Sequence, residues 1–193
     1  LKRFPRLKRI LRSLRNCLLP DLGVSSDYVT LQGEEISSEG QRLRNSWRDN
    51  DLPLRQRELV EQQLNSFRSG SHIDVYDVLV QSLRALPELR NNSSLLEVGC
   101  SSGFYSEVLE IAGLPVKYSG CDYSEAFIRM AREKYPSLSF SIEDATDLHY
   151  SDGSFDIVVS GGCLLHIPEY VKAVEDTARV ARHYAIFHRT PVV

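Results

Sequence analysis

A doubly wound α/β fold, with a mainly parallel sheet and helices on both faces, is predicted for the C-terminal half of this 193-residue chain. From Leu95 onward, short apolar segments alternate with segments of helical length. This alternation is typical of βαβ units, whose strands run parallel. The first apolar segment also leads into a glycine turn. Turns of this kind bind ligands at the carboxyl ends of parallel strands.

Five strands are predicted over residues 95–98, 117–121, 139–142, 155–160 and 184–188. The predicted helices between them cover residues 103–112, 124–135 and 169–181. Two further helices precede the first strand, at residues 54–67, which Pro53 can open, and at 73–86. We expect these two helices to lie across the mouth of the ligand cleft. The polar stretch from Pro20 to about Asn50 is interpreted as irregular.

The charge of the chain is unevenly distributed. The net charge is −3, but residues 1–20 hold seven basic residues and no acidic one, which leaves −10 for the remainder. The acidic body argues against a nucleic-acid partner. The basic segment also has apolar residues in helical spacing, at Leu1, Phe4, Leu7, Ile10, Leu11, Leu14 and Leu18. This amphipathic helix has two interpretations: it binds an anionic membrane surface or acidic partner, or it packs on the protein's own body.

The cysteines and the lengths of the apolar runs indicate the cellular compartment of the protein. The four cysteines, Cys17, Cys100, Cys121 and Cys163, form no C-x-x-C pair, which favours a reducing environment without disulfides or a metal site. No run approaches the roughly 18 consecutive apolar residues of a membrane span. We expect a cytoplasmic protein, with membrane association through residues 1–20 as the open alternative.

The glycine turn has the pattern Glu-x-Gly-x-x-x-Gly, from Glu97 through Gly99 to Gly103. A dinucleotide site would instead be G-x-G-x-x-G. A carboxylate before the turn would repel a pyrophosphate but suits a ligand with an ammonium group. The glycines allow close approach of the backbone, and the N–H groups of the next helix would offer hydrogen bonds.

This segment resembles the first motif of class I S-adenosylmethionine (SAM)-dependent methyltransferases, most closely the small-molecule type described as methyltransferase domain 11. The resemblance covers residues 95 to about 181 and implies a Rossmann-like fold with SAM as cofactor. One departure is Ser101, where the family commonly has glycine.

Three later motifs strengthen the resemblance. Asp122 follows the second predicted strand, where a carboxylate can accept hydrogen bonds from both ribose hydroxyls. The alternative is that Asp122 caps the next helix. The resemblance implies that Asp144 and Ala145 bind adenine and that Ser160 and Gly161 leave space for the methionine part. The predicted cofactor-binding residues are Glu97, Gly99, Cys100, Ser101, Gly103, Tyr105, Asp122, Tyr123, Asp144, Ala145, Ser160 and Gly161. Asp156, which opens the fourth strand, is interpreted as structural.

His166 is the predicted catalytic residue, because its imidazole could take a proton from an acceptor near neutral pH. The alternative is that His166 only packs or positions the substrate. Trp47, Arg48, Arg55 and Gln56 are candidates for a lid over the cofactor or for substrate contacts, and Trp47 is equally suited to packing. No metal ion is implied.

The predicted function is transfer of a methyl group from SAM to a small-molecule, lipid-linked or sugar-linked acceptor. A SAM-binding scaffold or regulator is the first alternative. A nicotinamide-dependent oxidoreductase is disfavoured by the glycine spacing.

The predicted organisation has three parts: a basic helix with an irregular extension at 1–52, a helical lid at 53–90 and a SAM-binding domain at 91–193. Such domains normally close with an antiparallel hairpin after the fifth strand, and the sequence ends at Val193 before one. An uncovered strand edge promotes association, so we expect a homodimer or limited solubility. The start at Leu1 rather than methionine is consistent with a piece of a longer or processed product.

Overall fold

The computed structural model describes residues 40, 42, 45–48, 50–87, 89 and 92–190. The predicted basic helix at residues 1–20 lies outside this part, together with the membrane contact expected of it.

Five strands and five α-helices follow one another in the described part. The strands are β1 (Ser93–Val98), β2 (Val116–Asp122), β3 (Ser139–Ile142), β4 (Phe155–Gly161) and β5 (Ala181–His188). The helices are α1 (Leu52–Arg68), α2 (Asp74–Arg84), α3 (Tyr105–Ile111), α4 (Glu125–Lys134) and α5 (Tyr170–Val180), and a 3₁₀ helix spans Cys163–His166. Every predicted strand and helix from residue 53 onward is present, with ends shifted by up to three residues.

The predicted irregular stretch before Asn50 is wrong in part. Gly40, Arg42, Asn45 and Ser46 are helical. The Ser46 hydroxyl donates a hydrogen bond of 2.8 Å to the Arg42 carbonyl, one helical turn earlier. A Cβ on Gly40 would lie 2.6 Å from Pro168 Cγ. This segment therefore packs closely against the loop that follows the 3₁₀ helix, which a local sequence pattern does not reveal.

The strands form one sheet in the order β3-β2-β1-β4-β5, and every neighbouring pair is parallel. This order confirms the doubly wound α/β prediction. The chain reverses its direction of progress through the sheet between β1 and β4, and ligands bind at such a switch point beyond the carboxyl ends of the strands.

Alternating side chains of the strands supply the two faces of the core. On one face, Leu95 and Val159 pack with apolar residues of α1, α2 and α3. On the other face, Leu96 and Val158 pack with Val180 of α5. All four strand residues are at most 1% exposed. Because both faces of the central strands are buried, their sequences are apolar runs, and these runs made the strands visible in the sequence.

No helix in the described ranges has the length and apolar character needed to cross a membrane. Cys100, Cys121 and Cys163 are free thiols. Within the same ranges there is no group of three or more histidine, cysteine or acidic side chains suited to a metal ion.

Candidate active site

A cavity of about 320 Å³ lies beyond the carboxyl ends of the central strands. Its wall comes from the turns after β1, β2, β3, β4 and β5 and from two positions before β1. The lining residues are Trp47, Gln56, Glu97, Val98, Gly99, Ser101, Phe104, Tyr105, Asp122, Tyr123, Glu143, Asp144, Ala145, Gly161, Gly162, Cys163, Leu165, His166, Ile167 and Arg189.

The turn after β1 is tied to β2 and packed against the turn after β4. The N–H groups of Gly99 and Cys100 donate hydrogen bonds of 2.8 and 2.9 Å to the Cys121 carbonyl. Gly99 has φ +75°, and a Cβ there would lie 2.5 Å from the Cys163 Cβ. Glycine is therefore required at position 99 both by conformation and by space.

Ser101 stands where the resembled motif commonly has glycine, and it adopts a left-handed conformation, with φ 53°, that favours glycine. Its N–H donates a hydrogen bond of 2.9 Å to Asp122 Oδ2. Its hydroxyl donates to the Gln56 side chain of α1. The departure from glycine thus adds a contact between the turn and the helix that precedes the sheet.

Glu97 is the most buried carboxylate of the cavity wall, with 2% of the residue exposed. The Tyr118 hydroxyl donates a hydrogen bond of 2.5 Å to Glu97 Oε2. Burial, with the nearby Asp122 carboxylate, raises the pKa of Glu97 well above its ordinary value, against the opposing effect of the Tyr118 hydrogen bond. A cation brought to Glu97 would offset this cost by favouring the ionised form.

Asp122 and Asp144 are fixed by the backbone around them. Besides Ser101, Asp122 accepts a hydrogen bond of 2.9 Å from the Ser124 N–H. Burial raises the pKa of Asp122 from its ordinary value, although these N–H donors favour the carboxylate. Asp144 Oδ1 accepts hydrogen bonds from the Thr146 N–H at 2.9 Å and from the Thr146 hydroxyl at 2.7 Å. Asp122 lies in the cavity wall, but its side chain does not cap the next helix: it accepts from the N–H of Ser124, the residue before that helix.

Aromatic and apolar side chains surround His166 at the other end of the cavity. The ring centroids of His166 and Trp47 are 4.7 Å apart, and Trp47 lies 6.3 Å from Phe127. Burial lowers the pKa of His166, and the positive charge of Arg189 adds to this effect. The imidazole is therefore neutral at pH 7 and able to accept a proton.

Most of the predicted site residues converge on this cavity, but Cys100, Gly103 and Ser160 lie behind its wall. Cys100 and Ser160 are fully buried, and Ser160 Oγ lies 3.1 Å from Cys163 Sγ. A Cβ on Gly103 would lie 2.7 Å from Phe140, so this glycine serves packing. Of the four lid candidates, Trp47 and Gln56 line the cavity, whereas Arg48 and Arg55 do not.

The expected free N–H groups at the start of α3 are engaged inside the protein. The Ser106 N–H donates to the Gly103 carbonyl at 3.1 Å. The N–H groups of Glu107 and Val108 donate to the Phe104 carbonyl at 3.1 and 3.3 Å.

Sequence reasoning missed several lining residues, and two of them carry charge. Glu143 directly precedes Asp144 and received no role, because the family resemblance implied one only for Asp144 and Ala145. Arg189 directly follows β5. Asp122 and Asp144 stand just after predicted strands, and Arg189 does too, so inspecting the residues after each predicted strand would have identified Arg189.

The residues 96–187 match the family model described as "Methyltransferase domain". The demethylmenaquinone methyltransferase of Staphylococcus aureus is 31% identical over 98 residues, which are 49% of this chain and 41% of that protein. The phthiotriol/phenolphthiotriol dimycocerosates methyltransferase of Mycobacterium leprae is 31% identical over 96 residues, 47% of this chain and 36% of that protein. The match thus spans well under half the length of these curated relatives.

A solved structure supports the fold independently. The YcgJ protein of Bacillus subtilis superimposes with a TM-score of 0.50 at 21% identity, over 57% of this chain and 47% of that one.

Proposed function

We propose, on the premise that residues 96–187 belong to the class I SAM-dependent methyltransferases, that this chain transfers a methyl group from SAM to a small-molecule acceptor. The family uses SAM as its cofactor. The activity of the whole protein is our inference, because the match covers only part of each curated relative.

One observation carries the proposal: carboxylates stand at the ends of three adjacent strands around one cavity. Glu97 lies near the end of β1, Asp122 ends β2 and Asp144 follows β3, and all three line the cavity. Their order matches the polar groups along SAM, which are an ammonium, the ribose hydroxyls and the adenine amino group. Each of these groups is a hydrogen-bond donor, and each carboxylate is an acceptor.

The protein contributes mainly geometry to this chemistry. The sulfonium of bound SAM supplies an already activated methyl group. Holding two reactants in near-attack geometry can remove roughly 7–11 kcal/mol from a barrier. A positioned general base contributes about 10²- to 10⁴-fold. We assign that role to His166, whose neutral imidazole lies beside Gly162 and Leu165 in the cavity wall.

The wall around His166 favours an acceptor with an apolar part. Trp47, Leu165 and Ile167 line this end, and Leu165 is 38% exposed. Beyond it, Tyr170 and Val171 are 57% and 55% exposed at the start of α5. The two curated relatives are named for demethylmenaquinone and for phthiotriol dimycocerosates. We carry over only the coarser class, a small-molecule or lipid-linked acceptor.

Location and assembly are secondary parts of the proposal. We place the protein in the cytoplasm. Among the described strands, β3 and β5 form the sheet edges. Pairing of an edge with a second copy would give a homodimer, and native mass spectrometry at low micromolar concentration tests this directly.

Calorimetric titration with SAM, with its demethylated product S-adenosylhomocysteine (SAH) and with NADH tests the function. We expect saturable binding of SAM and SAH and none of NADH. Release of SAH from SAM in a screen of acceptors then separates the enzyme from the scaffold alternative, which would bind SAM without consuming it. Binding of NADH in place of SAM would overturn the proposal.

A further inference from the structure

The cavity wall has an uneven set of charges. Four carboxylates line it, those of Glu97, Asp122, Glu143 and Asp144. Among the described lining residues, Arg189 is the only one with a permanent positive charge. A cavity of this kind suits a ligand with several donor groups and one anionic group.

The other arginines near the cavity are held elsewhere. Arg57 is 7% exposed and donates hydrogen bonds of 2.7 and 2.6 Å to Glu61 and Glu107. Arg48 lies over the Tyr123 ring, with 5.4 Å between its guanidinium carbon and the ring centroid. Neither residue lines the cavity.

Arg189 and Glu97 both act on one side chain, Tyr105. Burial and the Glu97 carboxylate raise the pKa of the Tyr105 hydroxyl, and the positive charge of Arg189 opposes this rise. A Cβ on Gly161 would lie 3.0 Å from Tyr105 Cε2 and 3.5 Å from Glu97 Oε1, so the Tyr105 ring and the Glu97 carboxylate meet at Gly161. The absence of a side chain at Gly161 leaves room beside the Tyr105 ring and the Glu97 carboxylate.

The backbone at Arg189 is in an unfavourable conformation that turns the chain at the end of β5. Its φ is +59°, in the left-handed region that non-glycine residues seldom adopt. Strained backbone of this kind clusters where side chains contact ligands. The Cβ of Arg189 is close to the turn after β4, 3.7 Å from the position of a Cβ on Gly162.

We propose that Arg189 binds the carboxylate of the cofactor's amino-acid end, while Glu97 binds the ammonium group on the same carbon. The inference rests on the proposed function and extends it to a residue outside the four recognised motifs. Tyr105 then has a positioning role: it orients the guanidinium, instead of being the primary partner of the carboxylate. In the competing assignment, Arg189 instead binds an anionic group of the methyl acceptor.

Two matched ligands separate these assignments without knowledge of the acceptor. SAH carries both the ammonium and the carboxylate, and decarboxylated SAH keeps the adenosine, sulfur and amine but lacks the carboxylate. Affinities of both are measured by calorimetry for the wild type, for Arg189→Gln and for Arg189→Lys. Arg182→Gln is the control, because Arg182 belongs to β5, which Arg189 directly follows, and its exposed side chain forms an ion pair with Asp156 at 2.6 Å.

We expect the wild type to prefer SAH by about ten- to a hundredfold, the usual effect of a hydrogen bond to a charged group. Arg189→Gln should lose this preference by weakening SAH alone, Arg189→Lys should keep part of it, and Arg182→Gln should keep all of it. Thermal unfolding of each variant verifies that it is folded.

Equal affinity of the wild type for the two ligands would overturn the inference without any variant. Equal weakening of the affinity for both ligands in Arg189→Gln, or no weakening for either, would overturn the inference as well. Equal weakening would indicate that Arg189 maintains the shape of the cavity, and no weakening would favour a contact between Arg189 and the acceptor. If the wild type binds neither ligand, the proposed function fails, and this inference fails with it.

Discussion

The two ends of the cavity are built differently. At the carboxylate end, which comprises Glu97, Asp122 and Asp144, local hydrogen bonds hold the two aspartates, whereas Glu97 accepts from Tyr118, 21 residues along the chain. Asp122 and Asp144 each accept from a backbone N–H two residues later, at 2.9 Å. At the aromatic end, which comprises Trp47, His166 and Leu165, the contacts join segments far apart in the chain. The carboxylate end is therefore encoded in short motifs, and the aromatic end depends on the folded chain.

This difference assigns separate tasks to the two ends. Locally fixed acceptors give a rigid site for a constant cofactor, and rings on separate segments give a surface that can differ between proteins with different acceptors. Changes at the carboxylate end should alter cofactor affinity. Changes at the aromatic end should alter use of the acceptor.

The largest effect on stability is expected where the turn after β1 packs against the turn after β4, at Gly99 and Cys163. Gly99→Ala should lower the free energy of unfolding by about 2–4 kcal/mol, because it adds the left-handed backbone cost to an overlap with the Cys163 Cβ at 2.5 Å. Gly113→Ala is the matched control: its φ is +66° and nothing lies within 4 Å of its Cβ. It should cost about 1–2 kcal/mol in urea unfolding. Equal losses of unfolding free energy in the two variants would show that the turns after β1 and β4 do not constrain each other.

Asp122→Asn tests the carboxylate end alone. Loss of the charge should weaken SAH about ten- to a hundredfold, since hydrogen bonds to charged groups contribute about 1.5–3 kcal/mol. Asp156→Asn is the comparison, because Asp156 also accepts a backbone N–H, that of Ser94 at 2.8 Å, but does not line the cavity. We expect it to bind SAH within about threefold of the wild type by calorimetry. Equal weakening in both variants would remove the special role of Asp122.

Glu97→Gln tests the electrostatic cost of burying the Glu97 carboxylate. The folded-state pKa of Glu97 is raised, so the native protein keeps a proton that the unfolded chain has lost. Stability of the ligand-free wild type should therefore fall as pH rises from the ordinary glutamate pKa towards the raised one, by at most about 1.4 kcal/mol per pH unit from this group.

Urea unfolding at several pH values should show a smaller decline in Glu97→Gln. The exposed Glu110→Gln should keep the wild-type profile. Identical dependence of stability on pH in Glu97→Gln and the wild type would contradict the raised pKa of Glu97.

The smallest effect on the cofactor is expected at Trp47. Trp47→Leu removes the ring contacts with His166 and Phe127, at a cost of roughly 0.5–1.5 kcal/mol per aromatic pair. SAH affinity should change by less than about threefold, whereas the KM for the acceptor, once one is found, should rise about tenfold. A strong loss of SAH binding with an unchanged KM would reverse the assignment of the two ends.

The sequence predicted the sheet and the carboxylate end because both depend on short-range patterns. Apolar runs such as that from Leu95 to Val98 follow from burial on both faces. Asp122 stands at a strand end, and the role of Asp144 was implied by the family resemblance. The helical conformation around Asn45 was missed because the local pattern is polar, and the approach of nearby Gly40 to Pro168 joins segments far apart in the chain. Arg189 was missed because the motif comparison ended before the fifth strand, although the physical rule of strand ends applies there equally.

Ser101 shows what a departure from a motif can and cannot tell. The sequence identified the missing glycine, and the structure shows the serine in the same left-handed conformation, with φ 53°. Its hydrogen bond to Gln56 could not be predicted, because it depends on where α1 crosses the turn.

Hydrogen–deuterium exchange of the wild type with and without saturating SAH tests the location of the site most directly. We predict slower exchange in the turns after β1, β2, β3 and β4, around residues 97–103, 122–124, 143–146 and 161–167. Helix α5, from Tyr170 to Val180, should be unaffected. Protection confined to other segments, or none at a SAH concentration that saturates calorimetric binding, would contradict a cofactor held among Glu97, Asp122 and Asp144.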